Sequence, residues 1–484
     1  MASSVSSIIT FFIFLQFFTL SISKPLILPL KHTLTQTLYK NTPHLLKSTT
    51  THSTSRLHHH RHHHVSLPLT PGSDYTLSFS LGSQIISLYM DTGSDLVWLP
   101  CTPFTCILCE GKYDPKTIAN PRPLNLTSAT PITCKSRACM SVHSSRSTSN
   151  LCAIANCPLE DIETSDCDNF SCPNFYFAYA DGSFVGKLYN DNLEIPFSSP
   201  KLNIQNFTFG CAHTALGEPI GVAGFGRGAL SMTSQLANTF PEIGNHFSYC
   251  LVSHSFDQTR VRKQSPLILG RYFSKKESEN GEIDDVVSKD MVFTPMLENP
   301  KHPYFYCVGL EGISLGRTRI ESPQSLKDVD SKGNGGMVVD SGTTFTMLPA
   351  KFHENVVAEF RTRVDKVYNR ASHIEENTGL SPCYYINDDI SVPKLVLHFG
   401  GNSSVAMPRK NYFYEFIDGG DDGKRKRKVG CLMLMNGGDE AESSGPAGLL
   451  GNYFQQGFEV VYDLEEKKLG FARRKCSSLW DRLK

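Results

Sequence analysis

Tyr89-Met90-Asp91-Thr92-Gly93-Ser94-Asp95-Leu96-Val97-Trp98-Leu99-Pro100 carries one apolar run into an acidic, glycine-containing turn and a second apolar run out of it. The pattern returns far downstream as Met337-Val338-Val339-Asp340-Ser341-Gly342-Thr343-Thr344-Phe345-Thr346-Met347-Leu348. A single carboxylate on a tight turn is ordinary, because Asp and Gly both favour turns. Asp-Thr-Gly-Ser answered by Asp-Ser-Gly-Thr, with apolar strands on both sides of each, is a much stronger signal. The doubling predicts that Asp91 and Asp340 face each other and share one proton.

Two carboxylates within hydrogen-bond reach cannot both ionise cheaply, so one proton is retained over a wide pH range. The charged member can deprotonate a water for attack on a peptide carbonyl, while the protonated member hydrogen-bonds the carbonyl oxygen. Each Asp is expected on a narrow loop, held by nearby amides and by the hydroxyl of Ser94 or Thr343. Glycine at Gly93 and Gly342 lets the two loops approach without a Cβ clash. Asp95 is expected to face solvent or bond within its own loop, with no direct role.

The 484 residues suffice for two lobes or domains. Apolar content of 40% and charged content of 19% are those of a globular chain. Net charge is zero but unevenly spread. Residues 1–73 contain no Asp or Glu and six Lys and Arg, which leaves 41 bases against 47 acids in the body. A nucleic-acid partner is therefore not expected, since no domain-scale basic face is implied.

Ile8–Leu20 is an apolar run followed by Ser21-Ile22-Ser23, the pattern of a secretory signal peptide over 1–23, although its leading end lacks Lys and Arg. No later stretch is long enough to span a membrane, and the polar end Trp480-Asp-Arg-Leu-Lys484 argues against a lipid anchor. Residues 24–73, with the tract His58-His-His-Arg-His-His-His64, read as a basic, removable pro-segment and linker rather than a metal site. Their charge beside an acidic body suggests an electrostatic latch that acid would weaken. Ten of the fifteen cysteines lie between Cys101 and Cys211, which points to disulfides and an oxidising compartment. Zinc is disfavoured, because Cys101-x4-Cys106-x2-Cys109 lacks a matching second pair. The odd count leaves a free thiol, and Cys307 in an apolar run is the candidate.

From Asp74 onward, short alternating or apolar runs are split by Gly, Pro, Asn and Ser, so the body is mostly β. Clear helical candidates are few, Ser231–Ala237 and Pro349–Val364, so short helices accompany the strands. Cys101–Cys172 reads as a loop-rich insertion. Asn125, Asn169, Asn206 and Asn402 head glycosylation sequons, and behind a signal peptide some are expected to be modified. Asp418–Lys428 reads as a solvated hairpin tip.

These motifs resemble the pepsin-like aspartic proteases, and within them the plant nepenthesin-like branch. Tyr179-Ala-Asp-Gly-Ser183 looks like the family's flap hairpin, with Tyr179 meeting Trp98. Val222-Ala-Gly224 and Leu449-Leu-Gly451 look like the hydrophobic partners of the two catalytic loops. Phe247-Ser-Tyr-Cys-Leu251, Gly451-Asn-Tyr-Phe-Gln-Gln-Gly-Phe458 and the cysteine-rich insertion look like plant-branch features. Two departures are Ala180, where the branch more often has Gly, and the wide Cys101-x4-Cys106 spacing, which leaves the pairing inside the insertion open.

The resemblance implies a bilobal β fold with a central substrate cleft. The polar, charged stretch 274–290 reads as the connection between an N-terminal lobe at 74–273 and a C-terminal lobe at 291–484. The resemblance implies the bridges Cys383–Cys431 and Cys250–Cys476, and cross-lobe hydrogen bonds from Thr92 and Ser341 that fix the loops. It further implies a monomeric, secreted, acid-optimum endopeptidase made as a zymogen, extracellular or vacuolar, with a peptide substrate and neither metal nor organic cofactor. The rival is an inactive binding protein on the same fold, as in plant inhibitors of cell-wall glycosidases. The two intact acidic motifs and Tyr179 favour the enzyme.

Overall fold

The structure is a computed structural model describing residues 26–33, 46–47, 50, 74–108, 123–179, 182–195, 202–217, 220–253, 264–270, 290–419, 426–438 and 445–483. The leader at 1–23, the His tract, Cys109, Ala180 and all of the 274–290 connection but Asp290 lie outside those residues.

Each acidic turn is built by the same arrangement of three strands. Gln84–Asp91 runs into the first turn and Val97–Ile107 leaves it. The short strand Val222–Gly224 lies between them, parallel to the first (Met90 opposite Ala223) and antiparallel to the second (Val97 opposite Ala223). In the other half Met337–Val339 enters, Thr346–Leu348 leaves, and Gly448–Leu450 is parallel to one and antiparallel to the other. The inserted strands are apolar and buried, and the glycine at or just past the end of each is closely confined. A Cβ on Gly224 would meet the Leu96 backbone at 2.7 Å, and one on Gly451 would meet the Phe345 backbone at 2.5 Å. The architecture is mostly β and two-lobed, as expected.

A six-stranded antiparallel sheet runs beneath both motifs. Its order is Leu26–Thr33, Ser265–Leu269, His246–Cys250, Phe458–Asp463, Lys468–Arg473 and Val292–Leu297. The halves meet where Phe247 lies opposite Tyr462 and Tyr249 opposite Val460. Phe247 and Tyr462 stack there with ring centroids 4.4 Å apart.

The first strand of that sheet lies within 24–73, the segment read as a pro-segment and linker. Leu26–Thr33 is not a tether ahead of the fold, since Leu26, Leu28 and Leu30 are buried in the main core. The strand pairs with Ser265–Leu269 along one part and with Asp74–Thr76 along the next. Leu46 is buried too, and the Thr50 hydroxyl donates to the Thr378 carbonyl at 3.0 Å. The short continuous apolar run Leu26-Ile27-Leu28-Pro29-Leu30 is the strand signal that basic composition outweighed. Among the described residues the anchorage is main-chain pairing and apolar burial.

Cys101–Cys172 also differs from expectation. Its described part holds three short helices, Arg137–Val142, Thr148–Ile154 and Leu159–Thr164. Ser136 and Ser147 cap the first two by accepting from the amides of Cys139 and Asn150. Helices of six or seven residues fall below the window in which periodicity is visible, and their Ser and Thr caps read locally as loop. The expected helices are present as Met232–Thr239, capped by Ser231, and Ala350–Val364. Phe413–Asp418 and Arg427–Leu432 pair antiparallel, so the basic 418–428 stretch is a hairpin whose tip, 420–425, is outside the described residues.

Leu30→Ala should lower stability by about 2–5 kcal/mol, the usual cost of truncating a closely packed core leucine. Urea denaturation of the full-length chain checks this; an unchanged midpoint would mean that Leu26–Thr33 contributes nothing to the body.

Candidate active site

Both acidic turns arrive at one place, and each presents its carboxylate in the same way. Asp91 Oδ1 accepts from the Gly93 amide at 2.9 Å, and its Oδ2 accepts from the Ser94 hydroxyl at 2.8 Å. Asp340 Oδ1 accepts from the Gly342 amide at 2.7 Å, and its Oδ2 accepts from the Thr343 hydroxyl at 2.6 Å. Asp91 is 2% exposed and Asp340 4%, so both are held by the protein rather than by bulk solvent. The loops are in close approach: a Cβ added to Gly93 would lie 2.7 Å from the Asp340 carboxyl carbon. Any side chain at position 93 would displace that carboxyl group.

A reciprocal set of hydrogen bonds holds the loops across the lobes. The Ser341 amide donates to Thr92 Oγ1 at 2.9 Å, and the Thr92 amide donates to Ser341 Oγ at 3.0 Å. The two hydroxyls pass their protons onward, Thr92 to the Val339 carbonyl at 3.0 Å and Ser341 to the Met90 carbonyl at 3.1 Å. The four bonds follow the two-fold relation of the lobes and leave the carboxylates free of this work.

Beneath the loops is a layer the sequence did not reveal. Gln455 Nε2 donates to the Asp340 carbonyl at 3.1 Å and to the Leu450 carbonyl at 2.8 Å. Its Oε1 accepts from the Tyr249 hydroxyl, which also lies 2.9 Å from that of Tyr462. Asn452 donates through its amide to the Thr343 carbonyl at 2.7 Å and through Nδ2 to the Ser341 carbonyl at 3.0 Å. Burial pushes the Tyr249 and Tyr462 phenols above their ordinary range, with the nearby Asp340 charge adding to it, so both remain neutral hydrogen-bonding groups. These residues sit inside stretches that carried the family resemblance. Nothing in their spacing, however, indicates that Tyr249 reaches a glutamine 206 positions away.

Tyr179 ends the strand Phe175–Tyr179 and pairs with Gly182 at the turn of a hairpin. Its ring lies 5.8 Å from that of Trp98, which is 1% exposed and stacks on Phe184 at 4.4 Å. The hairpin and Trp98 therefore form one aromatic group, as expected.

Asp95 does not face solvent freely. A Cβ on Gly228 would fall 2.0 Å from Asp95 Oδ2, so the carboxyl group is packed against that turn. Desolvation raises its pKa, opposed by a hydrogen bond within its own backbone. Burial, with Asp95 next, pushes the nearby Tyr304 phenol up to about 12.

The structure has both expected long-range bridges, Cys250–Cys476 and Cys383–Cys431. In and around the insertion it pairs Cys101–Cys211, Cys134–Cys167 and Cys139–Cys172. Cys307 is a free, fully buried thiol, as expected, and burial pushes it up to about 12. Asn125, Asn169, Asn206 and Asn402 are all exposed. No described helix is long and apolar enough to cross a membrane.

Two family models match the chain, the xylanase inhibitor N-terminal domain over residues 75–271 and the xylanase inhibitor C-terminal domain over 305–473. Taken with the relatives below, they place the chain in the plant nepenthesin-like branch of the pepsin-like aspartic proteases, to which it belongs. A "Probable aspartyl protease" of Arabidopsis thaliana is 56% identical to it over 97% of both chains. The aspartic proteinase nepenthesin-1 of Nepenthes gracilis is 28% identical over 84% of this chain and 78% of its own. Among solved structures, that of edgp matches with a TM-score of 0.60 at 16% identity, covering 94% of this chain and 96% of its own. Soybean basic 7S globulin matches at 0.58 and 17%, covering 94% and 99%. At such identities the structural likeness establishes the fold alone.

Thr92→Val would leave the buried Ser341 amide and Val339 carbonyl without this partner, at about 2–4 kcal/mol in total; thermal denaturation beside wild type checks it. A raised carboxyl pKa means that the folded state holds the proton more tightly than the unfolded chain. The stability contribution of Asp95 is thus fully present below the unfolded value and lost as pH rises through the folded one. Asp95→Asn should therefore stabilise the protein at pH 7 relative to wild type more than at pH 3. Equal differences in Tm at the two pH values would contradict this.

Proposed function

We propose that the protein is an aspartic endopeptidase that hydrolyses peptide bonds at acidic pH through Asp91 and Asp340. The observation that carries the reading is the matched presentation of the two buried carboxyl groups, each receiving one amide and one hydroxyl hydrogen bond on loops in close contact. Equivalent carboxyl groups so placed share a proton, as known for aspartic-protease dyads. The ionised member takes a proton from a water, whose oxygen attacks the peptide carbonyl carbon. The protonated member hydrogen-bonds the developing oxyanion, and a proton then passes to the leaving amine. Ser94 and Thr343 hold the carboxyl groups in plane, Thr92 and Ser341 hold the loops, and Tyr179 with Trp98 covers the substrate. An extended peptide suits a site between β-rich lobes, since main-chain hydrogen bonds can bind it.

The name of the 56% identical relative supports the enzyme. The xylanase-inhibitor description of the family models supports the rival, a binding protein on this fold. Loss of either carboxyl group or its supporting donors would favour that rival, and both sets are in place. Entry into the secretory pathway, glycosylation at the exposed sequons and action outside the cell or in the vacuole belong to the same proposal.

Peptidase activity should be found between about pH 3 and 6, should be blocked by pepstatin, and should fall by several orders of magnitude in Asp340→Asn with the fold retained by circular dichroism. A folded, processed wild-type protein that cleaves no protein substrate across that range would favour the binding protein. Gly93→Ala should likewise lose most of its activity, because the added methyl group moves the Asp340 carboxyl group.

A further inference from the structure

Two buried thiols lie far from the paired carboxylates in sequence and have no part in the proposed chemistry. Cys152 is in the last turn of the helix Thr148–Ile154, and Cys157 follows it closely. The helix ends in a reversal: the Ala155 amide donates to the Leu151 carbonyl at 2.8 Å, Asn156 takes a left-handed φ of 59°, and the Cys157 amide donates to the Cys152 carbonyl at 3.0 Å. This turn folds Cys157 back over Cys152. Their sulfur atoms, together with those of Cys134 and Cys167, all lie within 4.8 Å of one another, and all four residues are buried.

We propose that Cys152 and Cys157 close a disulfide of their own, alongside the Cys134–Cys167 bridge, and that this bond locks the helix-end turn of the insertion where it packs in the cluster beneath the Tyr179 hairpin. The main-chain bond between the two residues and the closeness of their sulfur atoms bring the two thiols within reach of each other. A tetrahedral zinc site is the other use of four cysteines, but Cys134 and Cys167 are bonded to each other, and two thiols fall short of four ligands. The cysteine count agrees. Cys106 is disulfide-bonded, the five described bridges take ten more, and among the described residues Cys152, Cys157 and Cys307 are left. Pairing the first two leaves Cys307 alone, in a separate part of the core.

Bond formation removes one hydrogen from each thiol. The two protons and two electrons go to a disulfide of the protein oxidoreductase class or to glutathione disulfide, which leaves as the dithiol or as two thiols. The consequence reaches the flap side of the molecule. Cys152 and Cys157 share one buried cluster with Trp98, Phe175 and Phe184, against which Phe177 and Tyr179 pack. Fixing the insertion therefore fixes the base of that hairpin.

The test uses the full chain secreted from a eukaryotic host, alkylated under denaturing, non-reducing conditions and mapped by peptide mass spectrometry. The expected result is an unalkylated Cys152–Cys157 pair, lighter by two hydrogens than its reduced form, with Cys307 alkylated. Alkylation of both Cys152 and Cys157, a bond from either to Cys134 or Cys167, or stoichiometric zinc released on thiol blocking would overturn the proposal. The double variant Cys152→Ser/Cys157→Ser should keep its other bridges and lose at least about 2–4 °C in Tm. Hydrogen exchange should rise over both 148–165 and 175–184. Faster exchange confined to 148–165, or none at all, would remove the link to the hairpin.

Discussion

Two carboxyl groups of like charge can be held face to face only if the main chain behind each is fixed independently of the carboxyl groups themselves. The reciprocal bonds between Thr92 and Ser341 meet that requirement. Each threonine or serine uses its amide and hydroxyl on the opposite lobe, so neither loop can shift without breaking bonds on both sides. The Asp side chains then need only a local amide and a local hydroxyl for their orientation. Buried hydrogen bonds of this kind are costly to leave unmade, which makes the arrangement all-or-none rather than adjustable.

That junction depends in turn on a shared floor. The six-stranded sheet joins strands of both lobes edge to edge, and its Tyr249, bonded to Tyr462, reaches Gln455 under the second acidic loop. Leu26–Thr33 closes one side of the same sheet. The residues that tie the loops together and the residues that tie the lobes together are thus in contact, and a change in lobe packing is felt at the carboxyl groups.

The insertion solves a different problem. Its helices are too short to be stable by their own hydrogen bonds. Bridges such as Cys134–Cys167 and Cys139–Cys172 supply the constraint that a larger apolar face would otherwise give. Its buried side shares a cluster with Trp98 and Phe184, so the element that looks most dispensable in sequence is packed against the flap hairpin.

The doubled Asp-[Thr/Ser]-Gly-[Ser/Thr] turn, its flanking apolar runs and the Val222-Ala-Gly224 and Leu449-Leu-Gly451 strands were legible in the chain because each is a local pattern. Side-chain period, turn chemistry and the need for glycine all act over a few residues. The same holds for Trp98 and Tyr179 once the motif was recognised. At Leu26–Thr33 a basic surrounding masked an apolar strand, and the packing of Asp95 against Gly228, more than a hundred positions away, left no local trace. Gln455, Tyr249 and Asn452 were beyond reach for the same reason, since hydrogen bonds between distant residues leave no periodic trace. What the amino-acid order determined alone was the pair of carboxylate turns and their strands. Which distant side chains support them was decided only by tertiary packing, because that support exists only after both lobes have closed on one sheet.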